Sequence, residues 1–284
     1  MKIGFIGQGF IGKSYADDFE DRGYSLVRYA LEEMYVHNKE AITACDVVFI
    51  AVPTPTTSKG FDSSIVASAL SLVGKGKIAV IKSTLIPGTT DELQQKNPDK
   101  IVLFSPEFLI ARSAKKDAKK PIMNIVGFPS KKPQHKKHAK KVLSLLPKSS
   151  YEQIMTASEA ELFKYTHNVH GVFRILFSNF IYDVAEGVGA DYKEIQKAMN
   201  ADPYMTKDAS YYNNPVHQSG RGAGGVCFIK DFAAFIEMYK KTIKDVSGLK
   251  ALQALEKKNV DLLTTTNKDL DLLQGVYGKK TKKK

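Results

Sequence analysis

The stretch Lys2-Ile3-Gly4-Phe5-Ile6-Gly7-Gln8-Gly9-Phe10-Ile11-Gly12-Lys13 carries the reading of the fold. The run Lys2–Ile6 has the length and apolar character of a buried strand, and a helical stretch begins near Lys13. Between them Gly7, Gly9 and Gly12 form G-x-G-x-x-G. Glycine is needed at this spacing for three reasons: the turn is tight, backbone must approach a pyrophosphate closely, and the helix must pack against the strand. Amides and dipole at the helix start then face the phosphates. Placed at a strand-to-helix switch, the pattern predicts a dinucleotide site built on Gly7, Gly9, Phe10, Ile11 and Gly12.

Outward from this turn, short apolar runs alternate with amphipathic stretches, the pattern of a parallel sheet with crossover helices. Strands are predicted at Lys2–Ile6, Ser25–Tyr29, Asp46–Val52, Lys77–Lys82, Lys100–Phe104 and Asn124–Gly127. Ser83-Thr84 with Pro87-Gly88, and Ser105-Pro106, put loops at carboxyl strand ends, where ligands bind in open α/β sheets. The fold class is therefore α/β: a Rossmann-type doubly wound parallel sheet over residues 1–150, followed by an all-helical domain over 151–268. That second domain is expected to centre on a long helix, Ala157–Gly187, opened by a Ser158/Glu161 capping box. Further helices are expected at Tyr192–Met199, Lys230–Ile243 and Leu249–Thr265, with an irregular Gly-rich segment over Asp202–Val226 and a basic tail over 269–284.

Lys and Arg number 42 against 30 Asp and Glu, a net charge of +12, which favours anionic partners. The excess clusters at Lys115–Lys120, Lys131–Lys141 and Lys279–Lys284; no nucleic-acid motif or aromatic stacking array accompanies it, and the tail Lys279–Lys284 reads as a solvated end. Cys45 and Cys227 are too few for a disulfide framework. No apolar run approaches the roughly 20 residues that cross a bilayer, so the expectation is a soluble, cytoplasmic protein. His167 and His170 lack a third ligand at sensible spacing, and no metal is expected. The acid that usually holds the ribose hydroxyls is replaced by Tyr29; Glu32 or Glu33 offers a substitute, and Arg28 leaves NADP open beside NAD.

Lys164 and Asn168 lie four residues apart and share a helix face, where an ammonium and an amide donor can converge on one developing oxyanion. Cys227 follows a glycine-rich turn and precedes a helix start, an environment that favours the thiolate. Cys45, in an apolar strand context, reads as a small buried group.

Four further segments join the glycine turn: Val52-Pro53-Thr54-Pro55-Thr56, Lys82-Ser83-Thr84-Leu85-Ile86-Pro87-Gly88-Thr89, Ser105-Pro106-Glu107-Phe108-Leu109, and Gly222-Ala223-Gly224-Gly225-Val226-Cys227-Phe228-Ile229-Lys230-Asp231. In this order, with Glu161-Leu162-x-Lys164-x-x-x-Asn168, they resemble the UDP-glucose/GDP-mannose dehydrogenase family over about residues 1–265. The resemblance implies an NAD-dependent enzyme oxidising the C6 alcohol of a nucleotide sugar, UDP-glucose favoured, to the acid. The aldehyde formed first would be captured by Cys227, and a second oxidation would give a thioester, hydrolysed by water within a Thr84–Glu107–Asp231 group. It adds Pro53, Thr54, Ser83, Thr84 and Lys230 to the cofactor residues. To the substrate it assigns Glu107, Phe108, Leu109, Lys164, Asn168, Tyr212, Asn213, Asn214 and Gly224, and it sets Asp231 beside Lys164. The family's central helices pair, implying a homodimer. Its third, C-terminal domain is not expected here, Ala111 stands where the family has an acid, and Ile229 where it has proline. Two alternatives remain open: a β-hydroxyacid-type dehydrogenase using Lys164 and Asn168 without the cysteine, and a non-catalytic basic dinucleotide-binding module.

Overall fold

The computed structural model describes residues 1–205, 211–217 and 220–278. The chain clusters into two units: residues 1–54 with 62–164, and residues 55–61 with those from 165 onward.

The first unit is a seven-stranded sheet. Its strands are β1 (Ile3–Ile6), β2 (Leu26–Tyr29), β3 (Val47–Ile50), β4 (Ile78–Ile81), β5 (Ile101–Phe104), β6 (Asn124–Phe128) and β7 (Glu152–Thr156). The order is β2-β1-β3-β4-β5-β6-β7, parallel throughout except for the β5–β6 pair. β1, β3 and β4 are buried at every residue, as expected of parallel strands covered on both faces. Phe5 stacks on Phe49 with ring centroids 4.9 Å apart, and Phe19 of the first helix closes on both. Each such buried ring contributes about 2–3 kcal/mol of apolar transfer. From β1 the chain goes to β2 on one side, while β3 lies on the other, so the glycine turn after Ile6 sits at a topological switch point.

Three differences from the sequence reading have physical causes. β7 lies in the sheet although residues from 151 were expected to begin a helical domain; it is an edge strand of mixed polarity, Glu-Gln-Ile-Met-Thr, without the continuous apolar run of a central strand. The long helix runs Ala157–Val188, but its capping box is Thr156/Glu159, the Thr156 N–H donating to Glu159 Oε2 at 2.7 Å, because Glu161 is engaged elsewhere. Residues 269–278, assigned to the basic tail, contain an apolar helix, Leu270–Tyr277, with Leu273 and Val276 buried. The lysines at 279–284 lie outside the described residues.

Among its described residues, the second unit is mainly helical, with two short hairpins, Thr56–Thr57 with Gly60–Phe61 and Val216–His217 with Gly220–Arg221. Its helices are the continuation of the long helix, Tyr192–Ala201, Gly225–Thr242, Val246–Thr265 and Leu270–Tyr277. Val172, Ile175, Leu176, Phe232, Ile236 and Leu262 form one buried cluster. Ile229, Ala233, Leu263, Leu273 and Val276 form a second beneath the C-terminal helix. Among the described residues, no helix is long and apolar enough to cross a membrane.

Candidate active site

In the first unit, the Gly7 N–H donates to Tyr29 O at 2.8 Å, tying the turn to the end of β2. Gly7 has φ +89°, and a Cβ there would lie 2.2 Å from Ala51 O; one on Gly12 would lie 1.9 Å from Gly7 O. Gly9 is different: a Cβ there would meet nothing within 4 Å. It is the N-cap of the helix Phe10–Asp21, which has no side-chain cap and no acid in its first turn. An uncapped helix start over open space fits an anionic diphosphate. Arg28, weighed above as a 2′-phosphate ligand, is already engaged. Its guanidinium donates to Glu20 at 3.0 and 2.6 Å, pairs with Asp17 at 2.8 Å and reaches Gln8 at 3.4 Å. Two carboxylates there leave little attraction for a phosphate, which favours the dephosphorylated dinucleotide.

At the carboxyl ends of β3 and β4, the Ser83 hydroxyl accepts from the Val52 N–H at 2.9 Å and donates to Val52 O at 2.7 Å. It thereby locks two neighbouring strand ends. Thr54 and Thr84 are buried beside them, while Pro53 is exposed. Glu107 and Lys164 form a buried pair: the Lys164 ammonium donates to Glu107 O at 2.6 Å and to Oε1 at 3.2 Å. The other carboxylate oxygen accepts from the Leu109 N–H at 2.7 Å, and the Phe108 ring lies 5.3 Å from the ammonium.

Two residues around this pair were missed. Lys82 is 2% exposed, donates to Ser105 O at 3.1 Å and Oγ at 3.2 Å, and covers the Tyr15 ring at 4.2 Å. Burial pulls its pKa down to about 7, with Glu107 opposing the fall. A lysine closing the apolar run Ile78–Ile81 was the available signal. Glu161 is fully buried and accepts from Gly88 N at 2.7 Å, Thr90 N at 2.8 Å and Thr90 Oγ1 at 2.6 Å. It caps the helix Thr89–Lys96 from the long helix, and burial pushes its pKa up to about 7 against those hydrogen bonds. Its spacing from Ser158 had suggested a local cap instead.

In the second unit, Asn168 follows Lys164 by one helical turn and donates from Nδ2 to Asp231 Oδ2 at 2.6 Å. Asp231 is 1% exposed and also pairs with its neighbour Lys230 through Oδ1. The sequence reading gave Lys230 to the cofactor; its ammonium is engaged by this carboxylate. Cys227 is the third residue of the helix Gly225–Thr242 and is half-buried, whereas Cys45 is fully buried.

Asn213 is buried and spends its groups within the fold. Its Nδ2 donates to Asn200 Oδ1 at 3.0 Å, Oδ1 accepts from Arg174 at 3.4 Å, and its carbonyl accepts from Tyr192 and Gln196. Tyr212 lies under the Arg174 guanidinium at 5.3 Å. Asn214 is exposed and accepts from the Val216 N–H at 3.1 Å in a local turn. A Cβ on Gly224 would lie 2.1 Å from Asp269 Oδ2, so a larger residue there would displace the Asp269 carboxylate.

Residues 27–145 match the NAD binding domain of the UDP-glucose/GDP-mannose dehydrogenase family, and residues 158–260 match its central domain. A UDP-glucose 6-dehydrogenase of Rhizobium meliloti (strain 1021) is 27% identical over 282 residues, spanning 84% of this chain and 63% of that protein. Among solved structures, a UDP-glucose dehydrogenase from the hyperthermophilic archaeon Pyrobaculum islandicum superimposes with a TM-score of 0.76 at 25% identity, covering 90% of this chain and 68% of that one. The fold is also shared, at a TM-score of 0.69 and 15% identity, by Mycobacterium tuberculosis 3-hydroxyisobutyrate dehydrogenase, over 97% of both chains. The chain spans between 52% and 63% of the length of the first three curated relatives it matches. With both matched domains in order and together spanning most of its length, the chain belongs to the UDP-glucose/GDP-mannose dehydrogenase family.

Proposed function

We propose that this chain is an NAD-dependent nucleotide-sugar 6-dehydrogenase that oxidises the C6 alcohol of UDP-glucose to the carboxylate through a thioester on Cys227. The observation that carries the reading is the half-buried Cys227 thiol in the first turn of a helix that opens on Gly224 and Gly225, the latter at φ +83°. Support comes from the family membership and from the uncapped helix start at Gly9.

NAD, when bound, would supply the hydride acceptor for C6, one molecule for each of the two oxidations. Gly7, Gly9, Phe10, Ile11 and Gly12 would hold its diphosphate, with Tyr29, Thr54, Ser83 and Thr84 around the rest. The alcohol proton leaves through water to Asp231, which Asn168 and Lys230 orient. The Cys227 thiolate then adds to the aldehyde carbon, and the Lys164 ammonium and the Asn168 amide stabilise the oxyanion of the thiohemiacetal. Loss of the second hydride leaves a thioester. Water attacks it with Glu107, Thr84 and Asp231 directing the proton, and the thiolate departs with the acid released. Tyr212, Asn214, Phe108, Leu109 and the Gly224 backbone complete the reading's substrate surface; Asn213 is assigned to holding that loop.

The test is cofactor reduction with UDP-glucose. Two equivalents of NADH per sugar, lost on Cys227→Ala, is the expected result. One equivalent with no cysteine dependence would overturn the thioester and favour simple alcohol oxidation, to be pursued with short hydroxy acids.

The reading includes a homodimer. Phe173, Phe177, Phe180, Val184 and Val188 recur on the long helix at three- and four-residue spacing and are 38%, 48%, 41%, 61% and 74% exposed. An apolar stripe of that length on a helix is supported best by a second copy of the same helix. Phe177→Glu with Val184→Glu should give monomers in analytical ultracentrifugation; an unchanged sedimentation coefficient would remove the helix from the interface.

A further inference from the structure

The turn that precedes Cys227 is held from the far end of the chain. Gly222 and Gly225 have φ of +88° and +83°, conformations that glycine alone adopts cheaply. Around them, side chains from residues 259–269 bond one backbone atom after another. Asn259 accepts from Ala223 N at 2.7 Å and donates to Ala223 O at 3.0 Å. Thr266 Oγ1 accepts from Arg221 N at 3.1 Å. The Lys268 ammonium donates to Gly222 O at 2.9 Å and Gly220 O at 3.4 Å, and Asp269 Oδ2 accepts from Gly225 N at 2.7 Å.

These contacts put two opposite charges against one helix start. Asp269 occupies the first orphan amide of the helix whose third residue is Cys227, and Lys268 is 4% exposed just behind it. Both line the same small cavity, about 70 Å³, together with Gly224, Gly225 and His217. Burial lowers the Lys268 pKa, with Asp269 opposing. The segment is anchored beyond the charges by the helix Leu270–Tyr277, whose Tyr277 hydroxyl bonds Glu256 at 2.9 Å.

We propose that Lys268 and Asp269 are positioning residues that fix the Cys227 turn and set the reactivity of its thiol, Asp269 restraining the thiolate and Lys268 favouring it. The proposal rests on Cys227 being the nucleophile but concerns the free protein. Its sign follows from elementary electrostatics: a carboxylate at a helix N-terminus cancels the positive end that would favour a nearby thiolate, and an ammonium adds to it. The pair lies 41 and 42 positions beyond the cysteine in sequence, past residues 158–260 that match the family's central domain.

The experiment is the pH dependence of iodoacetamide alkylation, with Cys227 read by peptide mass spectrometry and buried Cys45 as the internal control. Asp269→Asn keeps a hydrogen-bond acceptor but removes the charge, and should move the Cys227 midpoint down by about half a pH unit. Lys268→Met should move it up by a similar amount, and the double variant should return near the wild-type midpoint. Asp269→Asn is isosteric; if Lys268→Met does not fold, Lys268→Arg, which keeps the charge, should leave the midpoint unchanged. Midpoints unmoved by Asp269→Asn, or displaced in the same direction by both neutralising variants, would overturn the proposal. Failure of the nucleophile reading is seen separately, as UDP-glucose oxidation that survives Cys227→Ala.

Discussion

The molecule contains two glycine turns that feed helix N-termini, and they are treated in opposite ways. After β1, Gly7–Gly12 delivers a helix start with no side-chain cap, no acid in its first turn and open space at Gly9. Before Cys227, Gly222–Gly225 delivers a helix start whose first amide already carries the Asp269 carboxylate, with space at Gly224 filled by Asp269 and Lys268. The local backbone chemistry is the same, since each start presents unbonded amides and positive potential. The first turn leaves that potential available to an anionic ligand. In the second the chain supplies its own anion, so what the turn presents is a side chain, Cys227. A glycine motif alone therefore does not mark an anion site; the occupant of its first amides decides.

This contrast can be broken at several points. Gly12→Ala should have the largest effect, because its Cβ would lie 1.9 Å from Gly7 O: a loss of about 3 kcal/mol in urea unfolding and no NAD binding by calorimetry. Wild-type stability with NAD binding retained would show that the turn is not rigid.

The buried lysines sharpen the comparison next. Lys82, at the end of β4 over the Tyr15 ring, and Lys268, behind the second turn, both spend their ammonium groups on backbone carbonyls and both have pKa values lowered by burial. Between pH 7 and the ordinary lysine pKa of 10.5, the unfolded chain holds a proton that folded Lys82 has lost, so stability rises with pH. The slope is at most about 1.4 kcal/mol per pH unit. Lys82→Met should flatten that rise in urea titrations run from pH 7 to 9.5, and identical slopes in both proteins would contradict the burial argument.

Gly9→Asp should have the smallest effect and is the most diagnostic. It copies at the open turn the carboxylate that Asp269 supplies at the closed one. Because Gly9 has room, stability should change by less than about 0.5 kcal/mol, while NAD affinity falls about tenfold. Unchanged affinity would mean that the diphosphate does not use this helix start.

Much of the first unit was legible in the sequence because its strands are continuous apolar runs ending in turn residues, and six of the seven are where that pattern put them. The seventh, β7, was not, since an edge strand such as Glu152–Thr156 is specified by its ladder to β6 more than by its own composition. At the candidate site, Lys164, Asn168 and Cys227 could be named because helix spacing and a glycine turn have local signatures. Lys82 carried a signal, a charge at the end of a buried run, that went unused. Glu161 was assigned to the nearer partner, Ser158, when its carboxylate serves amides some 70 residues earlier in the chain. Lys268 and Asp269 had no signal at all. Their importance comes from a loop that returns to the Cys227 turn, and such a return is invisible to periodicity or motif.

The most direct test of the division between an open turn for the cofactor and a closed turn for the thiol is to quench the reaction with NAD and UDP-glucose in acid during turnover and map the peptides by mass. The added mass of the oxidised UDP-sugar should appear on the peptide containing Cys227 and not on that containing Cys45. Two equivalents of NADH formed per sugar by Cys227→Ala, with no adduct on the wild-type thiol at any time, would contradict the covalent route.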